Sequence, residues 1–598
     1  MSKQEIPQAV EMGRHGLAHI LAKAVTELFD DVTLAIGPAI DTGFYYDFDL
    51  PRTITEADFP AIEAKMTEIL RRREAFRRSA VPKSEALQIF KDDPYKLELI
   101  EDLPEDEVIS VYYTGEDFCD LCRGPHVENS QQLMGWAFKV YSVTGAYWRG
   151  DSTRKMLQRV YCYGFPDKKE LKAHIAAFEE ALKRDHNKLG RSLELFATAE
   201  DIGQGLPVLL PKGAMIVRTL QRFVEDEEQR RGYQQTMTPL MAKRELYKIS
   251  THWDHYRDGM FVMGNPEQFD DPAEEILALR PMTCPFQFQA YLNKTRSYRD
   301  LPLRYNETAT LFRNEASGEM HGLIRVRQFT LSEGHIACTP DQLEAEFAGC
   351  LDLAKFMLNA IGLYDDVWFR FSKWDPSNRE KYIGDAAQWE AIQDSMRNIL
   401  DDLGVDYVEA EGEAAFYGPK LDIQARNVFG KEDTIITIQI DFQLAERFGM
   451  EYTDSDGEKK HPFVIHRSSM GCYERTLALL IEKYAGKFPF WLSPLQVGIV
   501  PVREEHSAYA DEVAQQLTKA GLRVEVDHAN STMGNKIKSF RQGLAPYILI
   551  VGDAEQSSAT ISLRVRTGTQ VNEVKLERFT AACQRMVSDH ILELIEEF

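Results

Sequence analysis

Apolar residues at helical spacing predict a helix from Gly16 to Phe29, and a second, charged helix is predicted from Glu56 to Phe76. Between them the Gly- and Pro-containing run Ile36 to Gly43 reads as a turn, and stretches such as Val108 to Tyr113 read as strands. The first ten residues are polar and are expected to form a short tail, so the chain up to Phe165 predicts one α+β domain. From Asp167 to Lys188 a charged pattern with Leu171, Ile175, Phe178 and Leu182 on one face predicts a connector helix. Beyond Leu193 the segments lengthen, and strand signals at Leu303 to Phe312 and Ile435 to Phe442 alternate with helices, which predicts a mixed sheet flanked by helices. After Pro494 the pattern becomes strand (Val497 to Val500), helix (Ser507 to Ala520), strand (Arg523 to Val526), helix (Lys536 to Leu544) and strand (Ile548 to Val551). Such alternation predicts a small α/β domain with a largely parallel sheet. No internal repeat or low-complexity stretch interrupts the chain.

At 598 residues, with 44% hydrophobic and 27% charged, the chain is long enough for three or four globular domains. It shows neither a signal-peptide pattern nor an apolar run long enough to span a bilayer, so a cytoplasmic protein is expected. Eight scattered cysteines do not make a disulfide framework; Cys119 and Cys122 form a CxxC that no second pair follows. A net charge of -24 excludes a general nucleic-acid coat and leaves room only for local basic patches. Arg71 to Arg73 with Arg77 and Arg78 is one such patch, which would touch phosphates or be a solvated helix face.

The most informative chemistry lies at Arg313-Asn-Glu315, after a strand-like run and before the loop Ser317 to Gly322 and Arg325. The planar fork of an arginine on a rigid strand suits the α-phosphate of ATP and a carboxylate, and Glu315 shares its face. Downstream, Gly471-Cys-Tyr-Glu-Arg475 runs straight into an apolar helix, Thr476 to Tyr484. Upstream, Arg231 to Pro239 has a helix end, a turn glycine and a short strand. A second group is metal-like: Cys284, His335 and His466 offer one thiolate and two imidazoles, which suit tetrahedral Zn²⁺ with one open position. Each alone also reads as a buried thiol or a hydrogen-bonded core histidine. His15 and His19, at i and i+4, share a helix face, and Cys122-Arg-Gly-Pro-His126 adds a thiol and a third imidazole from a turn.

The upstream Arg231 segment, the RxE strand and the Arg475 junction, in chain order, resemble motifs 1, 2 and 3 of class II aminoacyl-tRNA synthetases. With the metal-like trio, the Tyr298 to Arg304 strand, Ala415 to Lys420 and the Cys122 to His126 segment, nearly the whole chain from about His15 resembles the threonyl-tRNA synthetase family. The resemblance implies an N-terminal α+β editing domain (1–165), a linker helix (166–190), a class II catalytic domain built on an antiparallel sheet (191–491) and a C-terminal α/β anticodon-binding domain (492–598). It implies one zinc per chain on Cys284, His335 and His466 that takes the amine and hydroxyl of threonine, with magnesium accompanying ATP. Arg313, Glu315, Arg325, Gln439 and Arg475 would bind ATP, Glu333, Tyr417 and Lys420 would line the threonine pocket, and His252 would serve transfer to tRNA(Thr). Arg313, Arg475 and His252 are the implied catalytic residues. A bacterial type is implied, beginning in what is usually the family's second domain, without the ubiquitin-like one, and forming a homodimer through motif 1.

Three strings depart from the family pattern: Leu331-Ser-Glu333-Gly-His335 for a usual Gln-Asp-Asp-Ala-His, Cys284-Pro-Phe286-Gln287 for Cys-Pro-Gly-His, and Cys472 for a common Ser.

A site built for a hydroxyl rejects valine strongly, but losing one methyl changes binding by only about 1–3 kcal/mol, so serine demands a second site. The His15, His19, Cys122 and His126 set resembles the family's seryl-tRNA editing site, shared with alanyl-tRNA synthetases, with Asp120 and Lys155 as further partners; such a set could also bind zinc, as in the alanyl relatives, but the resemblance to the threonyl family favours a metal-independent reaction. Asn530, Glu555 and Arg564 match anticodon-reading positions; a glutamate can accept from cytosine and an arginine can fork onto guanine. Two rivals are a class II synthetase for serine or proline, which the metal-like trio and the editing set oppose, and a noncatalytic RNA-binding paralogue, which the arginine clamp opposes.

Overall fold

The computed structural model describes residues 7–105, 107–151 and 153–598. Residues 1–6 of the expected tail lie outside the described residues, and a helix already opens at Gln8. The chain divides into two compact units, Met1–Glu180 and Ala181–Phe598. Among the described residues no helix is long and apolar enough to cross a membrane.

In the first unit α1 (Gln8–Leu28) is buried almost continuously from Gly16 to Val25. It packs on the inward face of β1 (Gly43–Asp49), where Phe44, Tyr46 and Phe48 alternate inward, and on α2 (Phe59–Arg71). Gly13 lets α1 approach Trp136 closely, since a Cβ there would stand 2.1 Å from the indole. The predicted charged helix stops at Arg71 instead of Phe76. Arg73 takes a left-handed backbone, φ 58°, and buried Phe76 opens strand β2 (Phe76–Val81). The arginine patch is thereby split: Arg72 is clamped by Glu27 at 2.6 and 2.7 Å, and Arg77 and Arg78 lie exposed on β2. Helix α3 (Pro94–Glu101) precedes β3 (Ile109–Thr114) and β4 (Phe118–Leu121), which form a three-stranded antiparallel sheet with β2. Strands β5 (Ala137–Tyr147) and β6 (Met156–Phe165) complete the larger sheet, in the order β1-β6-β5.

The predicted connector is two helices, α4 (Lys168–Arg184) and α5 (His186–Ser192). Asp185 breaks it by turning its carboxylate to the Lys188 N–H, 3.0 Å, which caps a new helix.

In the second unit, α6 (Pro211–Arg230), α7 (His252–Tyr256) and α8 (Cys284–Leu292) precede the central strands β7 (Leu303–Phe312) and β8 (Gln328–Cys338). Helix α9 (Leu343–Ala360) leads to β9 (Val367–Lys373), β10 (Tyr407–Glu411), β11 (Lys420–Arg426), β12 (Glu432–Asp441) and β13 (Phe463–Cys472), which runs into α10 (Tyr473–Tyr484). With the short strand Gln234–Gln235 these make an eight-stranded sheet, in the order 234–235, β7, β8, β13, β12, β11, β9, β10. Its central pairings are all antiparallel. Period-two alternation along β8 turns Ile336 and Cys338 into the core shared with α6, α9 and α10, and turns Glu333 and His335 to the opposite face.

A bulge in β13 shifts the register from Glu333↔Ser468 to Leu331↔Cys472. Gly471 sits in it at φ 79°, where a Cβ would lie 1.8 Å from the Ile435 carbonyl oxygen.

The C-terminal sheet joins β14 (Val497–Pro501), β15 (Val524–Val526), β16 (Tyr547–Val551), β17 (Thr560–Val565) and β18 (Gln570–Lys575), in the order β15-β14-β16-β17-β18. Only the pairs made by the first three are parallel. The prediction of a largely parallel sheet stopped at Val551 and missed β17 and β18, which follow as antiparallel strands.

Gly471→Ala and Gly404→Ala separate conformation from contact. Gly404, φ 62°, faces open space, so its alanine is expected to cost only the left-handed backbone, about 1–2 kcal/mol. Gly471→Ala adds a backbone clash and should lower the urea midpoint distinctly more; equal midpoints would mean that the bulge can relax.

Candidate active sites

Register builds the first site. Tyr305 pairs with His335, His335 with His466, His466 with Gln439, and Gln439 with Lys420, so one row crosses five strands. Cys284 joins it from the first turn of α8, and one ligand atom each from Cys284, His335 and His466 lie within 4.8 Å of one another. Both imidazoles are oriented from behind. His335 Nδ1 lies 2.6 Å from Gln287 Oε1, and His466 Nε2 lies 2.8 Å from Asp441 Oδ2, whose other oxygen caps the Gln443 and Leu444 N–H groups. The opposite nitrogens, His335 Nε2 and His466 Nδ1, remain to bind a metal. His335 Nε2 is buried without a hydrogen-bond partner among the described residues. Burial holds His335 well below its ordinary pKa and pushes the Cys284 thiol well above its own. A buried neutral trio of this composition, with an orphaned nitrogen, fits a soft divalent cation, which would supply the charge that keeps the sulfur a thiolate.

A cavity of about 350 Å³ opens in front of the row and is lined by Cys284, Arg313, Glu315, Arg325, Glu333, Tyr417, Lys420, Gln439, His466 and Arg475. Arg313 lies over the Phe329 ring at 5.1 Å, and its Nε is buried without a hydrogen-bond partner among the described residues, so its guanidinium is open to an anion. Glu315 and Arg325 hold each other at 2.8 Å, and Arg325 also meets Glu319 at 2.9 Å. Arg475 spends Nε and Nη1 on the carbonyls of Ile324 and Thr434. Glu333, raised by burial, accepts the Thr283 N–H at 3.1 Å. Tyr417 donates to Gln439 Oε1 and stacks on His466 at 4.9 Å, and Lys420 pairs with buried Asp422 at 3.0 Å. His252 opens α7 beside the Phe416 ring. The Ser250 hydroxyl donates to the Tyr247 carbonyl and so accepts from His252 Nδ1, 2.8 Å, leaving Nε2 bare; burial lowers this histidine to about 3.

The second site lies in the first unit. His15 and His19 project from α1, and Cys122 Sγ stands 3.2 Å from His15 Nε2 and 3.1 Å from His126 Nε2, while also accepting the Gly124 N–H. Burial pushes the thiol up to about 12. Asp120 is buried beside them. It accepts from Tyr46 at 2.6 Å, pairs with Lys96 at 2.5 Å and approaches His19 Nε2 at 3.5 Å. Lys155 is not brought here: it pairs with Asp49 at 2.6 Å. The buried cation is Lys96, which the sequence reading missed, as it missed Tyr46. Its signal was a lysine four residues before Ile100 on the core-facing side of α3.

At the C-terminal sheet Asn530 is exposed in the loop after β15. Glu555 accepts from the Gly552 N–H and the Ser562 hydroxyl, and Arg564 lies on β17 with its Nε buried and unpartnered among the described residues.

Residues 268–484 match the family model "tRNA synthetase class II core domain (G, H, P, S and T)", residues 496–586 "Anticodon binding domain", and residues 109–161 "Threonyl and Alanyl tRNA synthetase second additional domain". A threonine–tRNA ligase of Clostridium botulinum is 56% identical over 95% of this chain and 87% of its own length. The chain belongs to the threonine–tRNA ligase family. Its relative from Enterococcus faecalis, also a threonine–tRNA ligase, is 48% identical over 94% of this chain and 86% of its own length. The crystal structure titled as the RNA binding domain of threonyl-tRNA synthetase from Cryptosporidium parvum superposes with a TM-score of 0.62 at 31% identity, covering 67% of this chain and 98% of that one. A prolyl-tRNA synthetase from the same organism, 18% identical with a TM-score of 0.52 over 68% of this chain and 75% of its own, shares the fold.

The second site makes folding pH-dependent. Burial holds His15, His19 and His126 below the ordinary value of 6.5, so the folded forms are neutral. The unfolded chain takes up these protons below about pH 6.5 and the folded chain does not. Stability is therefore full above that pH and lost below it, by up to about 1.4 kcal/mol per pH unit for each histidine until its own folded pKa is reached. Melting of wild type and His126→Asn measured from about pH 8 to pH 5 should show the shallower decline in the variant; parallel curves would mean that His126 titrates while folded.

Proposed function

We propose that the chain activates threonine with ATP, transfers it to tRNA, and hydrolyses seryl-tRNA formed in error. The observation that carries the synthetic half is the row His335, His466, Gln439 and Lys420 facing one cavity with Cys284 and the unpaired Arg313. In activation the threonine carboxylate attacks the α-phosphorus of ATP and pyrophosphate leaves. Arg313 clamps the reacting phosphate and carboxylate, and Arg475 and Arg325 hold the outer phosphates, with magnesium accompanying ATP. Cys284, His335 and His466 would hold one zinc ion. When bound, it would supply a Lewis acid for the amine and hydroxyl of threonine, a contact valine could not make.

Glu333 accepts from the substrate hydroxyl, Tyr417 and Lys420 line the pocket around it, and Gln439, which accepts from Tyr417, serves the ATP side. Glu315 receives the adenine side once Arg325 moves to phosphate. His252, neutral and with Nε2 bare, would accept a hydrogen bond from the attacking tRNA hydroxyl and orient it, burial making it too weak a base to carry the proton away.

Hydrolysis is assigned to His15, His19, Asp120, Cys122 and His126, with Lys96 neutralising Asp120. We favour a metal-free reaction in which the thiol and imidazoles, 3.1 and 3.2 Å apart, orient water; the same four side chains offer one ligand atom each to an ion. We assign residues 1–165 to editing, 166–190 to the linker, 191–491 to synthesis and 492–598 to the anticodon, read through Asn530, Glu555 and Arg564. A cytoplasmic homodimer completes the reading.

ATP–pyrophosphate exchange against a panel of amino acids tests the synthetic half: threonine should support it, serine weakly, valine hardly at all. Cys284→Ala or His466→Ala should abolish threonine-dependent exchange while the melting temperature holds; full exchange in chelator-stripped enzyme would refute the metal role. Glu333→Gln should weaken threonine activation more than ATP binding, by about tenfold, if one charge-assisted bond is lost. For editing, preformed seryl-tRNA offered to wild type and to His15→Ala/His19→Ala should be cleared only by the wild type, with threonine charging nearly equal in both. Equal clearance would return these histidines to a packing role.

A further inference from the structure

Both departures on α8, Phe286 and Gln287, act on one buried chain of hydrogen bonds that ends at the proposed metal. Glu307 is its fixed end: its carboxylate meets Arg280 Nη1 at 2.9 Å and accepts from Thr238 Oγ1 at 2.9 Å, and Phe286 lies against the Arg280 guanidinium at 5.9 Å. Thr236 Oγ1 lies 3.2 Å from Glu307 Oε2 and 3.1 Å from the Asn306 carbonyl oxygen. Both of these oxygens only accept, so the one hydroxyl proton of Thr236 is spent on them. Thr236 Oγ1 therefore accepts from Gln287 Nε2, 2.7 Å away. That fixes which end of the amide is which and turns Gln287 Oε1 to His335 Nδ1, 2.6 Å. An oxygen without a proton requires one on Nδ1. The neutral imidazole has no second proton, so Nε2 presents a lone pair, and this is the buried nitrogen that has no partner among the described residues.

We propose that Gln287 is the positioning residue for His335: its amide, oriented by Glu307 through Thr236, holds the imidazole in the one tautomer that can ligate an ion shared with Cys284 and His466. The inference rests on the zinc reading above and extends it to a residue whose type departs from the family pattern. A histidine in the same position has two interchangeable nitrogens. An amide has two unlike ends, so anchoring one end determines the other. Gln287 touches no substrate; it acts through His335.

Zinc affinity, measured by competition with a chromogenic chelator on full-length protein, tests this apart from activity. Gln287→Leu keeps the volume and removes the acceptor; it should weaken zinc by about 10- to 100-fold and alter the visible spectrum of the cobalt(II)-substituted protein. Gln287→Glu still accepts from Nδ1 and should stay within about threefold of wild type. If the leucine variant fails to melt like wild type, Thr236→Val is read in its place: it cuts the relay one bond earlier and should also lose zinc affinity. Wild-type affinity in the leucine variant, or in Thr236→Val where that replaces it, would overturn the role of Gln287, as would equal losses in the leucine and glutamate variants. A wild-type chain that binds no zinc would remove the metal reading, and this inference with it.

Discussion

Antiparallel register across the central sheet is the constraint on which the synthetic site depends. Residues from five strands reach one row only because each pairing is in phase, and a one-residue slip in any strand would turn its member to the opposite face. In β8 that slip would exchange Glu333 and His335 for Ser332 and Gly334. The helices behind the sheet guard against it: Ile336, Ile438, Ile440 and Ile465 are buried in one core with α9 and α10, so a slipped strand would expose apolar side chains and bury polar ones. The same face holds a buried ion pair one residue beyond the row, Arg467 to Glu228 of α6 at 2.6 Å, which ties the motif 1 helix to the strand that carries His466. Gly334 makes room for that guanidinium, which would lie 2.5 Å from a Cβ.

Burial decides the protonation states in both sites. Burial disfavours the imidazolium in the three imidazoles around Cys122, in His252 and in His335, and hydrogen bonds then select which nitrogen keeps the single proton. Both sites leave buried imidazole nitrogens without a partner among the described residues, His335 Nε2 in one and His19 Nδ1 and His126 Nδ1 in the other. They differ in what stands beside the thiol: Cys284 lines an open cavity, whereas Cys122 Sγ already lies at hydrogen-bond distance from two imidazoles, with the Lys96–Asp120 pair nearby.

The arginines of the cavity divide by what already holds them. Arg475 is engaged by backbone carbonyls and Arg325 by two carboxylates, so both are preorganised, whereas Arg313 rests on an aromatic face with Nε unspent. An anion in the cavity would find Arg313 Nε without a partner among the described residues and would compete for Arg325 with Glu315 and Glu319.

The sequence by itself determined the order of the chemistry: the RxE strand and the i, i+4 histidines on α1 were legible because spacing along one element fixes which side chains share a face, whereas the Cys/His/His trio, drawn from three separate elements, was named from its donor types and the family resemblance. It also marked most helices, since amphipathic periodicity is local. Where local signals competed with packing it misled. The helix drawn to Phe76 ended at Arg71, the connector broke at Asp185, and the antiparallel strands β17 and β18 went unnamed. Only the tertiary structure decided which distant residues meet. Strand register aligned Lys420 with Gln439, His466 and His335, and helix packing brought Lys96, not Lys155, to Asp120. The relay from Glu307 to His335 joins residues on separate elements through hydrogen bonds whose direction follows from proton counting, and no spacing in a linear chain encodes that.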